Sequence, residues 1–307
     1  MPKDPHSSFL RFRCLPAKVV LPLAAALLLL LCLAQAGHAA GKPQPIQIAI
    51  TPCTEIIKTF KEYQPLAAYL EKQLRQPVVL VIPKDFPEFE RFVKEGKVAF
   101  TFQAPHTYVR LAHLYNKETL LKALTPDGES RHRGVIIVRK DSPLRRIEDL
   151  KGKYIIFGAE NDMAKSLSAK RLLTAQGIDP EKDLRGYKNN GSCESIALNV
   201  FLKTADAGAI CDYSFKGVNE AKNGGESEIP PNQLRILGRT EEIPTWIFAA
   251  RTGVEAGLVT RITKALTALN QKNKKHEEIL ESAEVGGFTT AKDSDYDGVR
   301  TIMSMTR

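Results

Sequence analysis

A chain of 307 residues, of which 43% are hydrophobic and 26% charged, is long enough to bury one large core or two smaller ones. Its formal net charge of +9 comes from basic residues interspersed with acidic ones, and only 7% of the residues are aromatic. This distribution excludes a nucleic-acid-binding footprint, so no nucleic-acid partner is expected.

The N-terminus has the layout of a secretory signal peptide. A basic segment, 3–18, precedes an apolar run, 19–34, and small residues follow. The alternative is a transmembrane anchor, but the run is short of the ~20 residues that a spanning helix needs. We predict a signal peptide over 1–39, cleaved after Ala36 or Ala39, and a mature protein in the periplasm.

Strands and helices alternate through the first half of the mature chain. Apolar periodicity predicts strands at 46–51, 78–82 and 98–103 and helices at 56–74 and 86–94. Pro65 is expected to divide the first helix in two. Such alternation predicts parallel pairing and an α/β fold.

The alternation continues beyond residue 130 as a second unit. The predicted strands are 134–139, 154–157, 207–211, 234–237 and 245–250, and the predicted helices are 147–150, 163–176, 195–203 and a long one from 254 to about 280 that ends the ordered body. Open parallel sheets bind ligands at the carboxyl ends of their strands. A site between the two units is therefore expected in the loops after Thr51, Gln103, Phe157, Tyr187 and Ile210.

Several segments resemble a known family when they are taken in order. They are 63–70 (YQPLAAYL), 96–100 (GKVAF), 104–109 (APHTYV), 136–143 (IIVRKDSP), 149–153 (DLKGK), 191–195 (GSCES) and 205–213 (ADAGAICDY). Together they resemble the phosphate/phosphite/phosphonate-type ABC-transporter solute-binding proteins, over roughly residues 46 to 275. Their order, rather than any single segment, is specific.

The resemblance implies a type II periplasmic-binding-protein fold with two α/β lobes joined by two crossover strands. The first lobe would contain 46–130 and 240–307, and the second 131–239, with the ligand cleft between them. Such proteins close on a small molecule and present the closed form to a membrane permease or a sensor histidine kinase. No cofactor and no enzymatic activity are expected, since catalytic signatures are absent from the sequence.

The predicted cleft departs from the family pattern. The family holds an oxyanion on a Ser/Thr-rich turn at the start of a second-lobe helix. Here the turn, 158–165, reads GAENDMAK and carries two carboxylates, Glu160 and Asp162, which repel a phosphonate.

All three cysteines of the predicted mature chain fall in cleft loops: Cys53, Cys193 and Cys211. Thiolate sulfur selects soft centres such as trivalent arsenic or Cu(I), so we expect these residues to bind a metalloid or soft metal. Some relatives are arsenite receptors that report to a sensor kinase, and the resemblance makes arsenite the favoured ligand. In a second interpretation Cys193 and Cys211 form a structural disulfide. In a third, the cysteines are packing residues beside an ordinary oxyanion.

Further ligand contacts are predicted around the sulfur atoms. They are Thr54, His106, Thr107, Tyr108, Asn161, Asp162, Met163, Glu194, Asp212 and Tyr213, with Tyr108 and Tyr213 as cleft walls. Lys165 or a helix N-terminus is expected to lower a thiol pKa. His113, His132 and His276 are interpreted as surface residues.

Two functional alternatives remain at this point. One is the binding component of a transporter for phosphonate- or phosphate-like oxyanions. The other is a thiol-dependent hydrolase with Cys193 and His106 as its nucleophile and base, for which the sequence offers no orienting group.

Overall fold

The structure, a computed structural model, describes residues 44–51, 56–189, 191–219 and 228–305. The elements below belong to the unit Pro45–Arg307. The predicted signal peptide and two predicted site residues, Cys53 and Thr54, lie outside the described residues. Within those residues, no helix has the length and apolar character needed to cross a bilayer.

Secondary structure follows the predicted alternation. In chain order the strands of the described residues are β1 (Ile46–Ile50), β2 (Val78–Val81), β3 (Phe100–Gln103), β4 (Leu120–Leu124), β5 (Arg131–His132), β6 (Gly134–Arg139), β7 (Tyr154–Phe157), β8 (Gly186–Asn189), β9 (Ala207–Cys211), β10 (Leu234–Arg239), β11 (Ile243–Pro244), β12 (Ile247–Ala250) and β13 (Gly287–Ala291). The α-helices are α1 (Ile56–Leu74), α2 (Phe86–Lys94), α3 (Pro105–Leu111), α4 (Ser168–Ala175), α5 (Cys193–Phe201), α6 (Asp212–Asn219), α7 (Ala256–Thr267), α8 (Lys274–Ser282) and α9 (Asp297–Met305). A π-helical turn, Met163–Leu167, leads directly into α4.

The described strands form two main sheets and one short ribbon. The first sheet has the order β13-β4-β12-β3-β1-β2, and the second has the order β10-β6-β9-β7-β8. Pairing is parallel between β1 and each of β2 and β3, and between β7 and each of β8 and β9. The remaining pairs are antiparallel, so the prediction of parallel pairing is wrong for them. In the first sheet, β12 returns from the second sheet and runs opposite to β3 and β4. In the second sheet, the entering strand β6 runs opposite to β9 and β10.

The chain passes between the two main sheets twice, and the two passages pair with each other. β5 leads from the first sheet to the second and β11 leads back, and they form an antiparallel ribbon with His132 opposite Ile243. Residues on this ribbon are therefore placed where the two sheets are connected.

Helices cover each sheet with apolar side chains. On the first sheet, α1 buries Leu66, Leu70 and Leu74, and α7 buries Ile262 and Leu266. Burying one such side chain contributes about 1.5–3 kcal/mol. The packed faces fix the positions of the loops at the strand ends.

Helix α1 is continuous through Pro65, so the predicted division there is wrong. Proline in a helix interior removes one hydrogen bond and costs about 3 kcal/mol. Thr59 and Leu70 lie on the two sides of Pro65 and are both buried, so both halves of the helix pack into the protein interior. Their packing offsets the local cost.

The prediction of one long helix from 254 to about 280 is wrong, because the chain forms two helices there, α7 and α8. Asn273 caps α8 by accepting a hydrogen bond from the backbone N–H of Lys275 at 3.1 Å. The ordered body also extends past residue 280. α9 follows β13 and buries Val299 and Ile302.

Candidate functional site

Cys193 and Cys211 lie together at the carboxyl end of β9, the central strand of the second sheet. Cys193 is the first residue of α5, because Ser192 caps that helix by accepting a hydrogen bond from the backbone N–H of Ser195. Cys211 is the last residue of β9. The backbone N–H of Cys211 donates to Cys193 Sγ at 3.4 Å, and both residues are buried free thiols. This structure therefore holds a dithiol rather than the disulfide of the second interpretation.

The two thiols are electrostatically unequal. The pKa of Cys193 lies below its usual value because its sulfur accepts a hydrogen bond from the Cys211 side chain and the Lys165 ammonium adds to this effect, against the opposing effect of burial. The same hydrogen bond and its burial raise the pKa of Cys211. Cys193 is therefore the first of the two thiols to ionise.

Lys165 reaches the dithiol from the π-helical turn that precedes α4. Asp162 caps this turn by accepting a hydrogen bond from the backbone N–H of Lys165 at 2.7 Å, and the Lys165 ammonium lies 3.3 Å from Asp162 Oδ2. Burial opposes the charged form of Lys165, but the charges of Asp162 and the two cysteines outweigh it and raise the pKa. The ammonium therefore stays charged beside the sulfur atoms.

Two hydroxyl side chains from α6 complete the surroundings of the sulfur atoms. Ser214 hydrogen-bonds with Cys193, and Tyr213 hydrogen-bonds with Cys211. Negative charge on the cysteine pair, together with burial of the hydroxyl, raises the pKa of Tyr213. The residue as a whole keeps 38% of its surface exposed, and its role as a cleft wall stays a prediction.

Two imidazoles from outside the second sheet face the same region. His106 is the second residue of α3 and His132 lies on β5. Each has a buried Nδ1 to which no described residue supplies a hydrogen-bond partner. Burial lowers the pKa of both rings, and the Asp162 carboxylate opposes this effect. The His132 ring packs edge-on against Tyr213, with 5.7 Å between ring centroids. The prediction of His132 as a surface residue is wrong, since its place on the ribbon is visible only in the fold.

His106 is expected to make the protein less stable in acid. Burial lowers its pKa to about 4, against the opposing charge of Asp162. The unfolded chain takes up a proton below about pH 6.5 while the folded protein does not, so stability is full above about 6.5 and is lost as the pH falls towards about 4. We expect His106→Gln to reduce the loss between pH 7 and 4.5 by about 2 kcal/mol after allowance for solvent screening.

Urea unfolding at the two pH values measures this effect. His113→Gln is the matched control, since His113 is exposed on the same segment of chain. Identical pH dependence in wild type and His106→Gln would contradict the assignment.

Tyr108 does not line the cleft as predicted. It is fully buried between Tyr115 and Tyr296, and its hydroxyl donates to Asp293 Oδ1 at 2.6 Å. Asp293 also pairs with Lys117 and Arg300. The prediction is wrong because the segment containing α9, which supplies this network, was not expected from the sequence.

The other predicted contacts vary in their surroundings. Thr107 is fully buried, and its hydroxyl lies 3.3 Å from His106 Nε2. Asp212 accepts hydrogen bonds from the backbone N–H groups of Arg133 and Tyr213, so its carboxylate is engaged within the protein. Met163 is buried in the core cluster that contains both cysteines.

Asn161 and Glu194 are exposed beside the site. Among the described residues, no group of three or more His, Cys, Asp or Glu side chains is arranged to hold a metal ion. The predicted three-sulfur set includes Cys53, which is outside those residues, so the structure brings together only Cys193 and Cys211 of that set.

Comparison with known proteins decides the family. Residues 48–296 match the family described as ABC transporter, phosphonate, periplasmic substrate-binding protein. The chain belongs to this family. It is therefore a periplasmic solute-binding protein of the phosphonate/phosphate ABC-transporter type, for which a small-molecule ligand and a membrane permease are the expected partners. Membership in a family of binding proteins also supports the prediction that the chain is not an enzyme.

Individual relatives are distant. The chain is 24% identical over 290 residues to the phosphate-import protein PhnD of Mycolicibacterium smegmatis, covering 89% of each chain. It is 27% identical over 219 residues to the tetrathionate sensor histidine kinase TtrS of Salmonella typhimurium, covering 68% of this chain and 37% of that one.

A solved structure shows the fold. PhnD1 from Prochlorococcus marinus, in complex with methylphosphonate, superposes with a TM-score of 0.68 at 18% identity, covering 86% of this chain and 98% of that one. The predicted type II fold, with two α/β lobes joined by two crossover strands, is confirmed.

Proposed function

We propose that this member of the family is a receptor whose lobes close on a small thiophilic solute, with arsenite as the favoured ligand. The observation that carries the proposal is the reduced pair of Cys193 and Cys211. The backbone nitrogen of Cys211 lies 3.4 Å from Cys193 Sγ, and the Lys165 ammonium acts on the same sulfur atom. Thiolate sulfur selects soft acceptors, and two adjacent thiols can bind one trivalent arsenic atom together.

The turn before α4 supports the same choice of ligand. In the family pattern this turn holds an oxyanion with hydroxyl groups. Here the side chain of Asp162 accepts the hydrogen bond from the N–H of Lys165, which leaves that donor unavailable to an anion. The carboxylate also adds a negative charge that disfavours a phosphonate.

We propose that the lobes consist of 46–130 with 240–307, and of 131–239, with the β5–β11 ribbon as the hinge. The chain changes sheets at this ribbon, and few residues connect the two halves. In this proposal Cys53, which lies outside the described residues, would supply a third sulfur from the first lobe when the lobes close.

Calorimetry on fully reduced protein tests the ligand. We expect arsenite to bind, and Cys193→Ser or Cys211→Ser to weaken binding at least about 100-fold, which is ~2.7 kcal/mol. Ser195→Ala is the matched control, because this exposed hydroxyl lies on α5 and bonds to the backbone of Ser192. Tight methylphosphonate binding that both Cys→Ser variants retain, with no arsenite binding, would contradict the proposal.

A phosphate- or phosphonate-like oxyanion is the second candidate ligand, favoured by the family and by the phosphate-import relative. A sensor histidine kinase is the second candidate partner, favoured by the similarity to a tetrathionate sensor kinase. Ligand-dependent uptake of solute into proteoliposomes would support a permease. Ligand-dependent autophosphorylation of a reconstituted kinase would support the sensor role.

A further inference from the structure

We propose that Cys193 and Cys211 form a thiol–disulfide exchange centre, oxidised by small-molecule disulfides, and that the oxidised pair no longer binds the solute. The exchange reaction depends only on the cysteine pair. Its effect on solute binding rests on the proposed function. In an oxidising compartment, two reduced thiols in contact are exposed to this reaction unless a ligand occupies them.

The position of the sulfur atoms favours an intramolecular bond. Cys193 Sγ already accepts a hydrogen bond from the backbone of Cys211, and the two side chains are also hydrogen-bonded to each other. The first residue of α5 and the last residue of β9 are therefore adjacent in the fold. We expect an S–S bond of about 2 Å to need side-chain rotation rather than the movement of a helix or strand.

The roles of the two cysteines differ. Cys193 lies at the N-terminus of a nine-residue helix and beside Lys165, both of which stabilise a thiolate. Both cysteines are buried in this structure, so the assignment of their roles rests on this electrostatic difference. Cys193 is therefore the residue that attacks an incoming disulfide, and Cys211 is the residue that resolves the intermediate.

The reaction balances with a low-molecular-weight disulfide, RS–SR, as the oxidant. The Cys193 thiolate attacks one sulfur of RS–SR, so the RS–SR bond breaks, RS⁻ leaves, and Cys193–S–S–R forms. Cys211 then loses its proton and attacks Cys193 Sγ, which releases the second RS⁻ and forms the Cys193–Cys211 disulfide. The two cysteines are oxidised by two electrons, RS–SR is reduced to two thiols, and the two thiol protons end on the released RS groups.

Oxidation would remove the features on which solute binding depends. Both sulfur atoms lose their capacity to bind a soft centre, and the negative charge beside Lys165 disappears. Lys165 keeps its ion pair with Asp162, so the surrounding helix has no need to rearrange. Solute binding and oxidation would therefore exclude each other at the same two atoms.

Mass spectrometry of the whole mature protein in oxidised glutathione tests the exchange. We expect wild type and Cys53→Ser to lose two hydrogen atoms and to give a peptide that links Cys193 to Cys211. Cys211→Ser should accumulate a mixed disulfide of Cys193 with glutathione. Wild type that stays a dithiol, or a disulfide that links Cys53 instead, would overturn the proposal. The wild-type measurement does not depend on the folding of any variant.

Calorimetry separates this inference from the proposed function. We expect oxidised protein to bind arsenite at least about 100-fold more weakly than reduced protein, with affinity restored by a reductant. Equal arsenite binding by both forms would overturn the effect on the site. Absence of arsenite binding by reduced protein would instead overturn the proposed ligand, while the mass measurement would still decide the exchange reaction.

Discussion

Replacement of Lys165 with Met is expected to slow alkylation of Cys193 at pH 7 by roughly fivefold, which is the loss of thiolate when a thiol pKa of about 7 rises by about one unit. The hydrogen bond from Cys211 is the largest cause of the lowered pKa of Cys193, and the Lys165 charge adds to it. Methionine keeps the length and apolar contacts of the lysine side chain but removes its charge. The same loss should weaken arsenite binding, because the thiolate is the binding form.

The rate of iodoacetamide incorporation at Cys193, followed by peptide mass spectrometry across pH 5–9, measures this change. Lys216→Met is the matched control, since this exposed lysine on α6 carries the same charge at the surface of the same sheet. An unchanged pH profile in Lys165→Met would show that the ammonium does not act on the sulfur. A profile shifted equally in both variants would indicate a general effect of net charge.

The proximity of Cys193 and Cys211 could be predicted from the sequence because short-range patterns predict the helix and the strand that carry them. Both lie in segments that resemble family motifs, and both were placed in loops at the cleft end of the second unit. A strand at 207–211 and a helix that begins near 193 are each predicted from short-range periodicity. Their packing then follows from the α/β architecture.

The environment of the sulfur atoms depends on long-range contacts that periodicity does not encode. His132 reaches the site because β5 pairs with β11, which lies more than a hundred residues away in sequence. Tyr108 lies away from the sulfur atoms because its hydroxyl donates a hydrogen bond to Asp293, near the C-terminus. A search for histidines at metal-ligand spacing detects neither effect. The position of His132 just before the predicted strand 134–139, at the start of the second unit, was the available signal.

The continuous helix through Pro65 shows a different limit. Local propensity correctly identifies a residue that costs helix stability, but tertiary packing decides the outcome. The same holds for α7 and α8, where the apolar positions continue but capping by Asn273 starts a new helix. Sequence patterns thus indicate where helices exist more reliably than where they end.

Gly134 connects the ribbon, the dithiol and Lys165, and Gly134→Ala is expected to destabilise the protein by about 3 kcal/mol. Gly134 pairs with Cys211 across β6 and β9, and its N–H donates to the Thr240 hydroxyl at 2.9 Å. A Cβ atom at this position would lie 2.1 Å from the carbonyl oxygen of Ala164, in the π-helical turn that carries Lys165. Because that oxygen belongs to the backbone, the turn itself must move.

Displacement of the turn should also separate Lys165 from the sulfur atoms. In the fraction of Gly134→Ala protein that remains folded, Cys193 should therefore be alkylated more slowly. The midpoint of urea unfolding and the alkylation rate measure the two effects. Gly217→Ala is the matched control, because outside its chain neighbours and its own helical backbone no heavy atom of a described residue lies within 4 Å of its added Cβ. Alanine there should stabilise α6 by about 0.5–1 kcal/mol. An unfolding midpoint for Gly134→Ala equal to that of wild type would mean that the turn moves freely against β6, and the contact could not then hold Lys165 in place.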